Sequence, residues 1–214
     1  MKPYASMLSP LSLDDHLAEP APAIATWLTG QSSYRHSQLS PAQAQVLDDL
    51  QSLGYRGLKA GFPYNRACLR IAYAKEPLLA ASLRNGWQFL ECLSSRAFAV
   101  EIARHLQPLI DAAGRRLLLL CGSCGLQLLA AALPHLVLPP ALRVELIAIG
   151  PVCLSVPRHP CLHLVVIRGS RDWISRCGSW LEADLRPPVG HLGYTQHPEA
   201  RRAIREAALA FVTA

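Results

Sequence analysis

The chemically most suggestive stretch of the chain is Leu117-Leu-Leu-Leu-Cys121-Gly122-Ser123-Cys124-Gly125-Leu-Gln-Leu-Leu, an apolar run that turns through small residues into a second apolar run. Ser123 stands at the apex, with small residues two before it (Cys121) and two after it (Gly125). A nucleophile on a sharp strand-to-helix turn needs such flanks, because strained backbone angles bring the two elements so close that bulky neighbours would collide. The turn would lift the hydroxyl above the carboxyl end of a sheet and aim helix-start amides at a developing oxyanion. Two other readings fit the same residues. Ser123 could be a plain helix cap in a glycine-rich turn. Cys121-Gly-Ser-Cys124 is also a C-x-x-C at a helix start, the setting of a thiol–disulfide redox motif. The redox reading is weakened by the position of the motif past mid-chain and by the lack of an aromatic residue just ahead of it. A zinc site would need a second such pair, which the sequence lacks.

Two later segments bear on the choice. Leu164-Val-Val-Ile-Arg-Gly169-Ser-Arg-Asp172 is a strand pattern followed by a loop carrying Asp172. Pro188-Val-Gly190-His191-Leu-Gly193 places a histidine in a glycine-flanked loop before the last helix. Asp172 could instead cap the helix that starts at Trp173, and His191 could bond a loop carbonyl. His197 is a rival base, but His197-Pro198-Glu199 reads as the start of that last helix.

The order Ser, Asp, His, with the serine in a strand-to-helix elbow, resembles the α/β-hydrolase superfamily, whose elbow is G-x-S-x-G. The elbow here is C-G-S-C-G, with Cys121 in place of the first glycine. The resemblance covers roughly residues 21–212. It implies Ser123 as nucleophile, His191 as general base and Asp172 as the residue that orients the imidazole. It also implies an oxyanion hole built from the Cys124 amide and from Gly30-Gln31, in the loop after the first strand. Relative to the superfamily the first two antiparallel strands are missing, and no cap domain follows the strand ending at Ile149. The site is therefore expected to be open, with residues 63–83 as the only lid-like element. The implied activity is a serine hydrolase cleaving an ester or thioester, with an acyl thioesterase as one form of it and no cofactor or metal. The alternatives are the thioredoxin-like redox protein and a non-catalytic binding module on the same fold.

The elements that must position these residues alternate along the chain. Strands are expected at 21–29, 55–60, 117–121, 142–149 and 163–167. Helices are expected from Ser40-Pro41 to Gly54, over 84–112 with a kink or stop at Pro108, and at 126–133, 173–183 and 197–212. Middle strands that are apolar on both faces, alternating with helices, indicate an α/β fold with a mostly parallel sheet of about six strands covered on both sides. The Ile149–His163 crossing holds three prolines and is expected to be an extended loop, and Pro187-Pro188 must lie in or beside an edge strand. Residues 1–20 read as an N-terminal extension and 21–214 as one domain.

Composition sets the outer limits. The 214 residues are 51% hydrophobic and only 17% charged, which excludes a disordered chain. Residues 117–142 carry no Asp, Glu, Lys or Arg, yet Pro134 and Pro139-Pro140 break them into pieces too short to span a bilayer. The start of the chain lacks a signal-peptide pattern, and seven scattered cysteines fit a reducing cytoplasm better than a disulfide scaffold. A net charge of +6 permits acidic partners, but single scattered arginines without interleaved aromatics do not make a nucleic-acid surface. Arg158, Arg168, Arg171 and Arg176 surround Asp172 in sequence and could attract an acidic acyl carrier protein.

Overall fold

A computed structural model describes residues 3–31, 36–70 and 77–213. Its centre is the apolar run seen in the sequence, now strand β3 (Ala113–Gly122), whose last six residues are all buried. On one side it pairs with β1 (Ala21–Thr29), on the other with β4 (Arg143–Ile149), and β4 pairs with β5 (Leu162–Ile167). The two-residue β2 (Arg56–Gly57) closes the far edge, giving the order β2-β1-β3-β4-β5 with every pair parallel. Among the described residues the sheet has five strands, in keeping with the mostly parallel sheet of about six expected from the sequence. Beyond β5 Leu185 makes a parallel bridge to Ile167; Pro187-Pro188 offer no donors, although the Pro187 and Val189 carbonyls still accept from the Ser170 and Arg171 amides.

Among the described residues seven α-helices accompany the sheet: α1 (Tyr4–Leu8), α2 (Pro41–Gln51), α3 (Leu78–Ser94), α4 (Arg96–Ala112), α5 (Gly125–Ala132), α6 (Trp173–Gly178) and α7 (Pro198–Thr213). One face of the sheet packs Leu117, Leu119, Leu146 and Ala148 with α4 and α5, and the other packs Leu118, Leu120, Ile147 and Ile149 with α2 and α7. Period-two alternation along β3 and β4 therefore supplies two cores at once. The α2 start is a full capping box, in which Ser40 Oγ accepts from the Gln43 amide and the Gln43 side chain accepts from the Ser40 amide.

The expected single helix over 84–112 is two helices, and the break falls at Ser95, not at Pro108. Ser95 Oγ accepts from the Phe98 amide and so caps α4, while Pro108 sits inside that helix. An interior proline costs about 3 kcal/mol. The buried Phe98, Ile102, Leu106 and Leu109 each contribute about 1.5–3 kcal/mol through burial, which outweighs it. The N-terminal extension is not a loose appendage: Tyr4 and Leu8 are fully buried against α4, and the Arg104 guanidinium donates to the carbonyls of Leu8, Ser9 and Leu11. Among the described residues no helix is long and apolar enough to cross a membrane.

Candidate active site

Ser123 lies between the end of β3 and the start of α5 with φ of 51°, a left-handed conformation that a non-glycine residue holds only under constraint. The surroundings supply that constraint. The Ser123 amide donates to the Ile149 carbonyl at 3.1 Å, and the Ser123 carbonyl accepts from the Val152 amide at 2.9 Å, so the turn is pinned to the exit of β4. Gly125 lets α5 approach β1: a methyl group there would stand 1.9 Å from the Leu28 carbonyl oxygen. Cys121 fits where the superfamily elbow has glycine because its side chain is fully buried in the core beneath the turn.

Three side chains from distant parts of the sequence meet above this turn. Ser123 Oγ is 3.2 Å from His191 Nε2, and His191 Nδ1 is 3.0 Å from both Asp172 carboxylate oxygens. A ring nitrogen facing a carboxylate carries the proton, so Nδ1–H donates to Asp172 and Nε2 is left to accept from the serine hydroxyl. Asp172 is 1% exposed, and such a buried charge needs its partners. It has them: the Ser175 amide donates to Oδ1 at 2.9 Å and the Tyr194 hydroxyl to Oδ2 at 2.7 Å. Burial alone would push this carboxyl up, but the hydrogen bonds from His191, Ser175 and Tyr194 together hold it below its usual value. Asp172 is thus both the cap of α6 and the imidazole's partner, and the two roles expected as alternatives coincide.

Tyr194 was not singled out by sequence. Its buried hydroxyl also accepts from the Gly169 amide at 2.7 Å, so it ties the loop after β5 to the loop carrying His191. The available clue was an aromatic hydroxyl three residues past the histidine in the same glycine-rich loop. Gly150 makes room for this cluster: it has φ of +54°, and a methyl group there would lie 2.7 Å from Asp172 Oδ2. His197 stands at the start of α7, its Nδ1 accepting from the Glu199 amide, as the sequence indicates.

The anion-binding side is arranged differently. Cys124 heads α5, where the first amides of a helix have no intrahelical acceptor. Gly30 lies against it: a methyl group on Gly30 would be 2.5 Å from Cys124 Sγ and 2.7 Å from Asn85 Oδ1 of α3. The Gln31 amide, however, donates to Gln88 Oε1 of α3 at 2.8 Å. The second amide expected for the hole is therefore held by a side chain of the protein itself. The site is not bare on this side, since α3 lies over it. Of the expected lid-like segment, residues 71–76 lie outside the described residues, as do Ser32 and Ser33 of the loop after β1.

The helix α3 has an inverted polarity. Gln88 and Glu91 are buried on its inner face, whereas Leu83, Trp87, Leu90 and Leu93 are exposed on the outer one. Glu91 accepts from the Tyr4 and Ala5 amides, which anchors α3 to the N-terminal helix. This is the signal that could have singled out Gln88, a polar residue on the face opposite three leucines and a tryptophan.

The cysteines of the elbow do not have the setting of a redox pair. Both are free and fully or nearly buried; burial pushes the Cys124 thiol up to about 12 and the Cys121 thiol higher still. A reactive pair requires a depressed thiol at a partly exposed helix start. Among the described residues no group of three or more His, Cys, Asp or Glu is placed to hold a metal ion.

A parallel five-stranded sheet, covered on both faces, with a serine elbow after its central strand and a histidine and an acid from the loops beyond it, is an α/β-hydrolase fold. The likeness extends to solved structures. A dienelactone hydrolase from Anabaena variabilis superposes over 91% of this chain and 88% of its own, with a TM-score of 0.50 at 17% identity. A protein of unknown function from Agrobacterium tumefaciens, provisionally described as an α/β hydrolase, covers 89% of this chain and 86% of its own, with a TM-score of 0.47 at 13% identity. At 17% identity the likeness to the dienelactone hydrolase concerns the fold alone. No protein-family model matches the chain, and no curated protein matches it.

Proposed function

We propose that the protein is a serine hydrolase that cleaves an ester or thioester through an acyl-enzyme on Ser123. The observation that carries this reading is the unbroken hydrogen-bonded line from the strained Ser123 hydroxyl through His191 to the buried Asp172. His191 Nε2 takes the hydroxyl proton as Ser123 Oγ attacks the carbonyl carbon, and Asp172 stabilises the imidazolium that forms. The oxyanion of the tetrahedral intermediate is received by the Cys124 amide at the α5 start, aided by the helix dipole. His191 then returns the proton to the departing alcohol or thiol, and the same steps with water release the acid.

The test is a panel of p-nitrophenyl esters and acyl thioesters of increasing chain length, assayed with wild type and Ser123→Ala. Turnover that falls at least about 10⁴-fold in the variant supports the reading. Turnover that persists in the variant, or no turnover of any member by wild type, contradicts it. The relative rates of oxygen and sulfur esters identify the leaving group, and with it whether the protein acts as a thioesterase. Of the four arginines near Asp172, Arg168 is occupied internally, donating to Ser175 Oγ and the Ser179 carbonyl, which leaves Arg158, Arg171 and Arg176 exposed for an acidic partner.

A further inference from the structure

Beside the proposed triad lies a surface that the reaction itself does not require. Trp173 and Leu192, each next in sequence to a triad residue, are 71% and 67% exposed, and Trp180 is 63% exposed. Ile174 and Leu154 are exposed as well. Backbone bonds hold the segments that carry them together. The Arg171 amide donates to the Val189 carbonyl at 3.1 Å, which places the Trp173 turn beside the loop of Leu192. The Cys153 amide donates to the Gly178 carbonyl at 2.9 Å, which places Leu154 beside the end of α6 and Trp180. Contiguous exposed apolar side chains around a site are uncommon on a protein that meets only water.

The charge around Trp173 is basic, and the nearest exposed carboxylates in sequence, Glu182 and Asp184, follow Trp180. From residue 146 to residue 181 the only acidic side chain is Asp172, which is buried and fully bonded, whereas the same stretch holds four arginines. Arg171 and Arg176 are exposed on either side of Trp173 in sequence, and Arg158 is exposed in the crossing loop. Tryptophan and leucine interleaved with arginine match the boundary of an anionic lipid layer, where the rings settle at headgroup level and guanidinium groups meet phosphate. An acidic carrier protein would be drawn by the arginines alone and gives no reason for five exposed apolar side chains.

We propose that the surface formed by Leu154, Trp173, Ile174, Trp180 and Leu192, with Arg171 and Arg176, docks the protein on an anionic lipid surface. The substrate is then an amphiphilic ester or thioester presented there. This clause about substrate rests on the hydrolase reading, whereas the docking does not.

Sedimentation of full-length Ser123→Ala with vesicles separates the two. Vesicles of equal parts phosphatidylcholine and phosphatidylglycerol should carry the protein down, with a blue shift of tryptophan emission, and pure phosphatidylcholine should bind it about tenfold more weakly. The Trp173→Ser/Trp180→Ser variant should lose about tenfold in vesicle binding. Arg171→Ala/Arg176→Ala should lose the preference for the anionic vesicles and its salt dependence. Both variants of the otherwise wild-type chain should melt like the parent and keep hydrolysis of a soluble short-chain ester, while losing turnover of a long-chain ester dispersed in the anionic vesicles. Absence of binding, equal binding to both vesicle types, or variants that bind like the parent overturns the docking. So does an acidic acyl carrier protein that binds this surface while the vesicles do not. Loss of all ester turnover in wild type would instead strike the hydrolase reading and leave vesicle binding as a separate result.

Discussion

The two halves of the candidate site are built in different ways. On the proton-transfer half every polar group is committed to catalysis-like geometry: Ser123, His191 and Asp172 are in line, and Ser175 and Tyr194 hold the carboxylate. On the anion-binding half the Gln31 amide is bonded to Gln88, and the Cys124 sulfur faces Gly30. The first half is fixed by the exits of β3, β4 and β5 and by the loop before α7 that carries His191 and Tyr194. The second depends on α3, a helix that reaches the site from outside the sheet and turns its apolar face to solvent. On the proposed reading a rigid relay and an engaged anion hole share one serine, and substitutions should affect them differently.

The largest effect is expected from the relay. Asp172→Asn keeps a similar shape but favours the wrong imidazole tautomer, and kcat should fall by about 10⁴-fold with little change in KM. A loss below about tenfold would mean that the line of hydrogen bonds is not a working relay.

A smaller effect of opposite sign is expected from Gln88→Leu. It frees the Gln31 amide for the substrate oxyanion, and one such donor is worth up to 10²–10³ in kcat in established cases. Because the freed amide must also stay in place, a gain of about tenfold is expected, with a stability loss of about 1–3 kcal/mol from the unpaired group. Parallel measurement of kcat and urea unfolding checks it. A fall in kcat would show that Gln88 positions the Gln31 loop and that the two halves are alike after all.

The mildest substitution is Tyr194→Phe, which removes one of the donors to Asp172 and should lower kcat about threefold. Its pH dependence is more telling. The folded-state value of Asp172 lies below its unfolded one, so its ionisation stabilises the protein above the ordinary carboxylate range, and that contribution is lost as pH falls through the folded value. Without Tyr194 the folded value moves back up. The stability gap between wild type and variant, followed by urea unfolding at each pH, should thus be widest near neutral pH and narrow as pH falls through and below the ordinary carboxylate range.

The contrast between the halves also marks how far the sequence could be read. The elbow and the two-sided apolar strands were legible because each is a local pattern with a local cause, and the Ser–Asp–His order because each residue follows a strand or stands in a glycine-flanked loop. Asp172 could be read as either a cap or a triad acid, and in the structure it caps α6 and also bonds His191. Less legible were features set by packing between distant segments. The helix break at Ser95 was hidden by Pro108, whose cost is outweighed by the buried face of α4. Beyond β5 the parallel bridge is confined to Leu185, because Pro187 and Pro188 have no amide to donate and their segment can only accept. Gln88 was not legible as a partner of Gln31, since 57 residues separate them and nothing local marks the contact.

The central claim is that Ser123, and not a cysteine of the same turn, is the nucleophile. It is tested most directly by treating the protein with a fluorophosphonate probe and locating the adduct by peptide mass spectrometry. A single adduct on Ser123 is expected, abolished in Ser123→Ala, slowed at least about 10³-fold in His191→Ala, and unchanged when exposed thiols are first alkylated. No adduct on Ser123 in wild type, or ester turnover that survives Ser123→Ala but not Cys124→Ala, would contradict it.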